Sequence, residues 1–77
     1  MKINLLFFGQ AADMTGMASR VFSGISNTRE LNEKLIEIYP ALQTIKYSIA
    51  LNRKIVRENT ELKNEDTVAI LPPFSGG

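Results

Sequence analysis

The carboxyl end of the chain reads Leu71-Pro72-Pro73-Phe74-Ser75-Gly76-Gly77, and these residue types suit one kind of chemistry. Gly76 and Gly77 have no side chains, so their backbone can pass close to other groups inside a narrow channel. Pro72-Pro73 cannot continue a sheet ladder and favours extended chain, which carries the residues after it away from the last strand. From Pro72 to Gly77 the chain can reach about 20 Å. Its α-carboxyl, with a pKa of about 3.5, is ionised at neutral pH, and a carboxylate carbon is a poor electrophile. An ATP-using partner that turned it into an acyl adenylate would supply a leaving group for a sulfur or nitrogen nucleophile to displace. A frayed or shortened end would leave the same residues without that purpose.

Little else in the chain can react. Cysteine and histidine are both absent from the 77 residues, which removes thiolate chemistry, disulfides and the usual general base near neutral pH. Ser48 and Ser75 therefore have no evident base to activate them. No glycine-rich phosphate loop or dinucleotide fingerprint occurs, and Glu65-Asp66 reads as part of a turn rather than a catalytic pair. No bound cofactor and no metal are expected, and the chain is not expected to be an enzyme alone. Nine basic and eight acidic residues leave a formal charge of +1, which argues against nucleic acid as a partner. The apolar run Leu5-Leu6-Phe7-Phe8 is far shorter than the roughly 20 residues of a membrane span, and no cleavage pattern follows it. The expectation is a mature cytoplasmic chain from Met1 to Gly77.

The elements that must carry this tail are written in the periodicities. Lys2–Phe8 has strand propensity, Gly9–Gly16 is bracketed by glycines and reads as a loop with room for a helical turn, and Ala18–Phe22 returns as a second strand in a hairpin with the first. Asn27-Thr28-Arg29-Glu30 sets a capping residue three positions before a glutamate. Leu31, Leu35, Ile38, Tyr39 and Leu42 then form one helical stripe, which Pro40 stops near Tyr39. The opposite side carries Arg29, Glu30, Glu33, Lys34 and Glu37. Tyr47–Asn52 alternates as a strand, Asn52-Arg53 turns, Lys54–Val56 returns, Lys63–Asp66 turns again, and Thr67–Leu71 is the last strand. The order β-β-α-β-β-β describes an α+β fold of the ubiquitin-like β-grasp type: a mixed sheet on one main helix, residues 1–71, followed by a flexible tail, residues 72–77.

Strand parity adds a second candidate site. Ile3, Leu5 and Phe7 share one face; Lys2, Asn4, Leu6 and Phe8 share the other, which the lysine and asparagine mark as the open side. In the last strand Val68 and Ile70 read as core, leaving Ala69 and Leu71 outward. Either Ile55 or Val56 must also point out. Phe8, Leu71 and one of that pair would form an exposed apolar patch beside the tail, the usual mark of a binding surface, unless loops cover it.

Three stretches, FFGQAADMTG, ALNRKIV and LKNEDTVAILPPFSGG, resemble the small, sulfur-carrying subunit of molybdopterin synthase, the MoaD type of ubiquitin-like carrier. The resemblance runs through nearly the whole chain and is most specific at PPFSGG. It implies that an ATP-dependent activating enzyme adenylates Gly77 and that the adenylate becomes a thiocarboxylate. It implies further that the tail enters the large synthase subunit, where sulfur passes to cyclic pyranopterin monophosphate to build the molybdopterin dithiolene, in a heterotetramer of two carriers around two large subunits. By position Gly77 bears the sulfur, Gly76, Ser75 and Phe74 lie in the partner's channel, and Phe8, Ile55, Leu71, Pro72 and Pro73 contact the partner. Many relatives carry an Arg-Glu pair in the loop after the first strand, where this chain has Ala12-Asp13. A thiamine-biosynthesis sulfur carrier, a ubiquitin-like modifier joined to target lysines, and a passive interaction module are the competing readings.

Overall fold

The computed structural model describes residues 1–72. Five strands and two helices follow the chain as β1 (Lys2–Phe7), α1 (Gly9–Thr15), β2 (Ser19–Ser23), α2 (Thr28–Ile38), β3 (Ser48–Leu51), β4 (Lys54–Val56) and β5 (Thr67–Leu71), with a 3₁₀ turn at Pro40–Thr44. The strands form one sheet in the order β2-β1-β5-β3-β4. β1 and β5 run parallel, and the other pairs are antiparallel. The fold is the α+β β-grasp that the element order predicts.

α2 begins where the sequence places it, and its cap shows why. The Asn27 side chain accepts from the Glu30 N–H at 2.9 Å, while the Glu30 carboxylate accepts from the Ser26 N–H at 2.9 Å and hydroxyl at 2.8 Å. The reciprocal bond of this capping box thus falls one residue before the cap. These Ser26 contacts, the backbone bond foremost, hold the Glu30 carboxyl below its ordinary pKa. Leu31 and Leu35 turn inward from α2 and are fully buried. They meet the inward strand residues Ile3, Leu5, Phe7, Val68 and Ile70 in the core, with Leu42 of the 3₁₀ turn beside them. Each such aliphatic side chain contributes on the order of 1.5–3 kcal/mol by leaving water.

Two expectations need correction. The segment after β1 is a seven-residue helix rather than a loop: α1 turns Ala11 into the core and is stopped by Gly16 at φ +73, whose N–H donates to the Ala12 carbonyl. β1 accordingly ends at Phe7, and Phe8 becomes the cap of α1. The stripe assigned to one helix is also divided, since α2 ends at Ile38 and Leu42 reaches the core from the 3₁₀ turn that Pro40 opens. Strand ends shift by one residue at β2 and β3.

Arg20 is an inward-facing charge that periodicity alone does not explain. Its guanidinium donates to the Tyr39 hydroxyl at 2.7 Å and lies 5.1 Å from the Phe22 ring centroid, and Tyr39 in turn meets Phe7 edge to face. Aromatic faces and a hydroxyl partner replace the water this cation loses.

Candidate functional site

The open face of the sheet is organised by register. Leu6 of β1 stands opposite Ala69 of β5, Ala69 opposite Ala50 of β3, and Ala50 opposite Ile55 of β4. One row across four strands therefore runs large, small, small, large. Two alanines form the floor, and Leu6 and Ile55 form the walls. The result is an open trough of about 660 Å³, closed at one end by Phe8 and Leu71 and at the other by Asn52, Arg53 and Thr67.

Parity brings Phe8, Ile55 and Leu71 together as the sequence predicts, and register settles the Ile55/Val56 alternative. Val56 pairs with Ile49, on the helix-covered side, while Ile55 faces out at 39% exposure and Phe8 at 46%. Exposed aromatic and aliphatic groups around a shallow apolar floor suit the burial of another protein's side chains.

Asn52 and Thr67, at the polar end of the trough, are committed to structure. Asn52 and Arg53 form a two-residue turn with φ values of +47° and +75°. The Asn52 amide donates to Asp66 Oδ1 at 3.0 Å, and its carbonyl oxygen accepts from the Thr67 N–H at 3.0 Å. Asp66 Oδ2 accepts from the Lys63 N–H at 2.7 Å. Asn52's amide, and then the Lys63 backbone, hold the Asp66 carboxyl below its ordinary pKa. This cross-brace ties the β3–β4 turn to the start of β5. Sequence reading recognises both turns but not the brace, whose partners lie far apart in the chain.

The root of the tail lies at the other end of the trough. The Phe8 N–H donates to the Ile70 carbonyl at 3.1 Å, which holds the end of β1 against the end of β5. Gly9 has φ +56, and a Cβ placed on it would stand 3.4 Å from Pro72 Cγ. Pro72 itself is exposed. Pro73, Phe74, Ser75, Gly76 and Gly77, the remaining tail residues singled out in the sequence, lie outside the described residues. Ala12 and Asp13 fall on α1, half-buried and exposed respectively.

A second concavity runs between α2 and the β3–β4 edge, lined by Thr28, Asn32, Tyr47, Val56 and Asn59 among others. Its polar groups hold the protein together: Asn59 Oδ1 accepts from the Arg29 N–H at 2.9 Å, Thr28 Oγ1 accepts from the Thr60 N–H at 2.9 Å, and the Tyr47 hydroxyl donates to Asn32. Among the described residues no group of three or more His, Cys, Asp or Glu side chains could hold a metal ion, and no helix is long and apolar enough to cross a membrane.

Comparison with known proteins gives a consistent result. The sequence pattern of the ThiS family matches residues 5–77. A molybdopterin synthase sulfur carrier subunit from Chlamydomonas reinhardtii is 34% identical over 83 aligned residues, covering 100% of both chains. A chain in the complex of subunits 1 and 2 of the molybdopterin-converting factor from Helicobacter pylori superposes with a TM-score of 0.74 at 28% identity, covering 100% of both chains. The small archaeal modifier protein 1 from Methanosarcina acetivorans superposes with a TM-score of 0.82 at 24% identity, over 99% of this chain and 96% of that one, and shares the fold.

Proposed function

Since the chain belongs to the ThiS family, we propose that it is the sulfur-carrier subunit of a molybdopterin synthase acting in the cytoplasm. The observation that carries this reading is the full-length similarity to a subunit of that name. The open-face trough beside the tail root is what such a carrier would need in order to dock.

In this reading Gly77 is the reacting residue and its chemistry is supplied by partners. A carboxylate oxygen of Gly77 attacks the α-phosphorus of ATP on the activating enzyme, pyrophosphate leaves, and an acyl adenylate forms. Hydrosulfide from the sulfur donor then attacks the carbonyl carbon, AMP leaves with the electron pair of the bond it held, and loss of the S–H proton gives a thiocarboxylate. Pro72 and Pro73 direct the tail outward, and Phe74, Ser75 and Gly76 line up in the large subunit's channel so that sulfur reaches cyclic pyranopterin monophosphate. Phe8, Ile55 and Leu71 bury against the large subunit in a heterotetramer. The chain itself contributes reach and docking, with no side chain taking part in bond making.

Reconstitution tests this directly. Incubation with the activating enzyme, ATP and a sulfur donor should raise the intact mass by one oxygen-to-sulfur exchange at Gly77. Addition of the large subunit and the pyranopterin precursor should then yield dithiolene. Deletion of Gly77 should abolish transfer and leave the fold intact. Lysine conjugates in place of the exchange, or dithiolene formation by the shortened chain, would overturn the proposal.

A further inference from the structure

The formal charge of +1 conceals an uneven distribution. On the open face the outward strand positions are Lys2, Asn4 and Leu6 of β1, Ser19, Val21 and Ser23 of β2, Ser48 and Ala50 of β3, Ile55 of β4, and Thr67, Ala69 and Leu71 of β5. None is acidic. The β3–β4 hairpin adds exposed Arg53 at the rim of the trough, and Arg57 follows β4 in the neighbouring cleft beside Ile55. The exposed side of α2, by contrast, carries Glu30, Glu33 and Glu37 with Arg29 and Lys34.

Arg53 occupies its place against backbone preference. At φ +75 it takes the second position of a two-residue hairpin turn, where glycine is the favoured residue because a Cβ is strained in that conformation. Asp66, the acid tied to the same turn, already accepts from the Asn52 amide and the Lys63 N–H. The guanidinium therefore sits at the edge of an apolar trough, on a side chain the turn itself does not favour.

We propose that Arg53 is a specificity-determining residue: the protein surface that closes over the trough presents carboxylate to its guanidinium, so that charge selects the partner that apolar burial holds. An apolar centre with a charged rim is the anatomy of a protein interface, and closure over Leu6, Phe8, Ile55 and Leu71 thins the water around the rim and strengthens the pair. A nucleic acid would meet bulky apolar side chains where it needs more cations. This inference rests on the docking of a large subunit proposed above.

The test is the association of the full chain with the large synthase subunit of the same organism, followed by stopped flow across a range of salt concentrations. Arg53→Gly should slow association about three- to tenfold at low salt and flatten its salt dependence, with thermal stability unchanged or raised because strain is relieved. Arg53→Lys should keep most of the salt dependence. Lys34→Gln removes the same charge from the helix side and should change the rate less than about twofold. Equal effects of Arg53→Gly and Lys34→Gln, or salt-independent association of the unaltered chain, would overturn the inference while leaving the docking reading in place. Failure of the unaltered chain to bind the large subunit at all would overturn both.

Discussion

Ala50 lies directly across from Ala69 in the antiparallel β3–β5 pair, and although it faces the uncovered side of the sheet it is only 5% exposed. Larger neighbours on the flanking strands, Leu6 and Ile55, rise above the two methyl groups and shade them. A flat sheet face becomes a trough because the smallest apolar side chains occupy β5 and β3, between Leu6 of β1 and Ile55 of β4. Residue size, at fixed register, sets the shape of this surface.

Ile55 and Val56 are chain neighbours with opposite duties, so truncating each should have opposite consequences. Ile55→Ala should weaken association with the large subunit by about 1–2 kcal/mol, as an exposed anchor does, and change stability by less than about 0.5 kcal/mol. Val56→Ala removes half-buried volume beside Ile49 and should lower stability by about 1 kcal/mol with less effect on association. Paired calorimetry and thermal unfolding check this, and a reversed pattern would show that the trough is not the docking surface.

Asp66 should make the fold sensitive to acid. Its folded pKa is lowered, so its contribution is complete above the unfolded carboxylate value of about 3.9 and is lost as pH falls through the lowered folded value. Asp66→Asn should therefore be less stable than the parent at pH 7, by roughly 1 kcal/mol, the usual worth of a hydrogen bond. The gap between the two should narrow as the pH is taken below 3. Glu30, lowered in the same direction, leaves both proteins with residual acid sensitivity. Urea unfolding at stepped pH measures the gap; one that stayed constant would rule out the carboxylate as its source.

Gly9 should tolerate a side chain less well than Gly24. Both have positive φ, +56° and +76°, so any substitution carries backbone strain at either site. A Cβ at Gly24 meets nothing within 4 Å, whereas one at Gly9 meets the Pro72 ring. Because that Cβ is already in van der Waals contact with the ring, the γ methyls of Gly9→Val have less room, and the substitution should cost about 1 kcal/mol more than Gly24→Val. Thermal unfolding should show this as a difference of about 4–8 °C in Tm, and equal losses would mean that Pro72 moves away freely.

Much of the fold is legible in the residue order because its signals are local. The Asn27 cap lies three residues from Glu30, β5 is a short alternating run after a turn, and Leu31 and Leu35 are one helical turn apart. α1 escapes notice for equally local reasons. It starts on a glycine with positive φ, lacks a side-chain cap, and buries only Ala11, so neither a boundary signal nor an apolar stripe marks it. Its stability comes from the sheet and from its Gly16 stop.

The candidate site divides along the same line. The outward parity of Phe8 and Leu71 can be read from alternation, and the absence of histidine and cysteine from composition. Which of Ile55 and Val56 faces outward, and that Asn52 braces Asp66 and Thr67, depend on pairing between segments whose contacts form only when the sheet assembles. The amino-acid sequence by itself determines the five strands, α2 and the inward faces of β1, α2 and β5, since these follow from propensity and spacing along one stretch of backbone. Tertiary structure alone places β5 between β1 and β3, sets the two alanines side by side and brings Arg53 to the edge of the trough, because strand order and register are decided by long-range hydrogen bonding and shared burial.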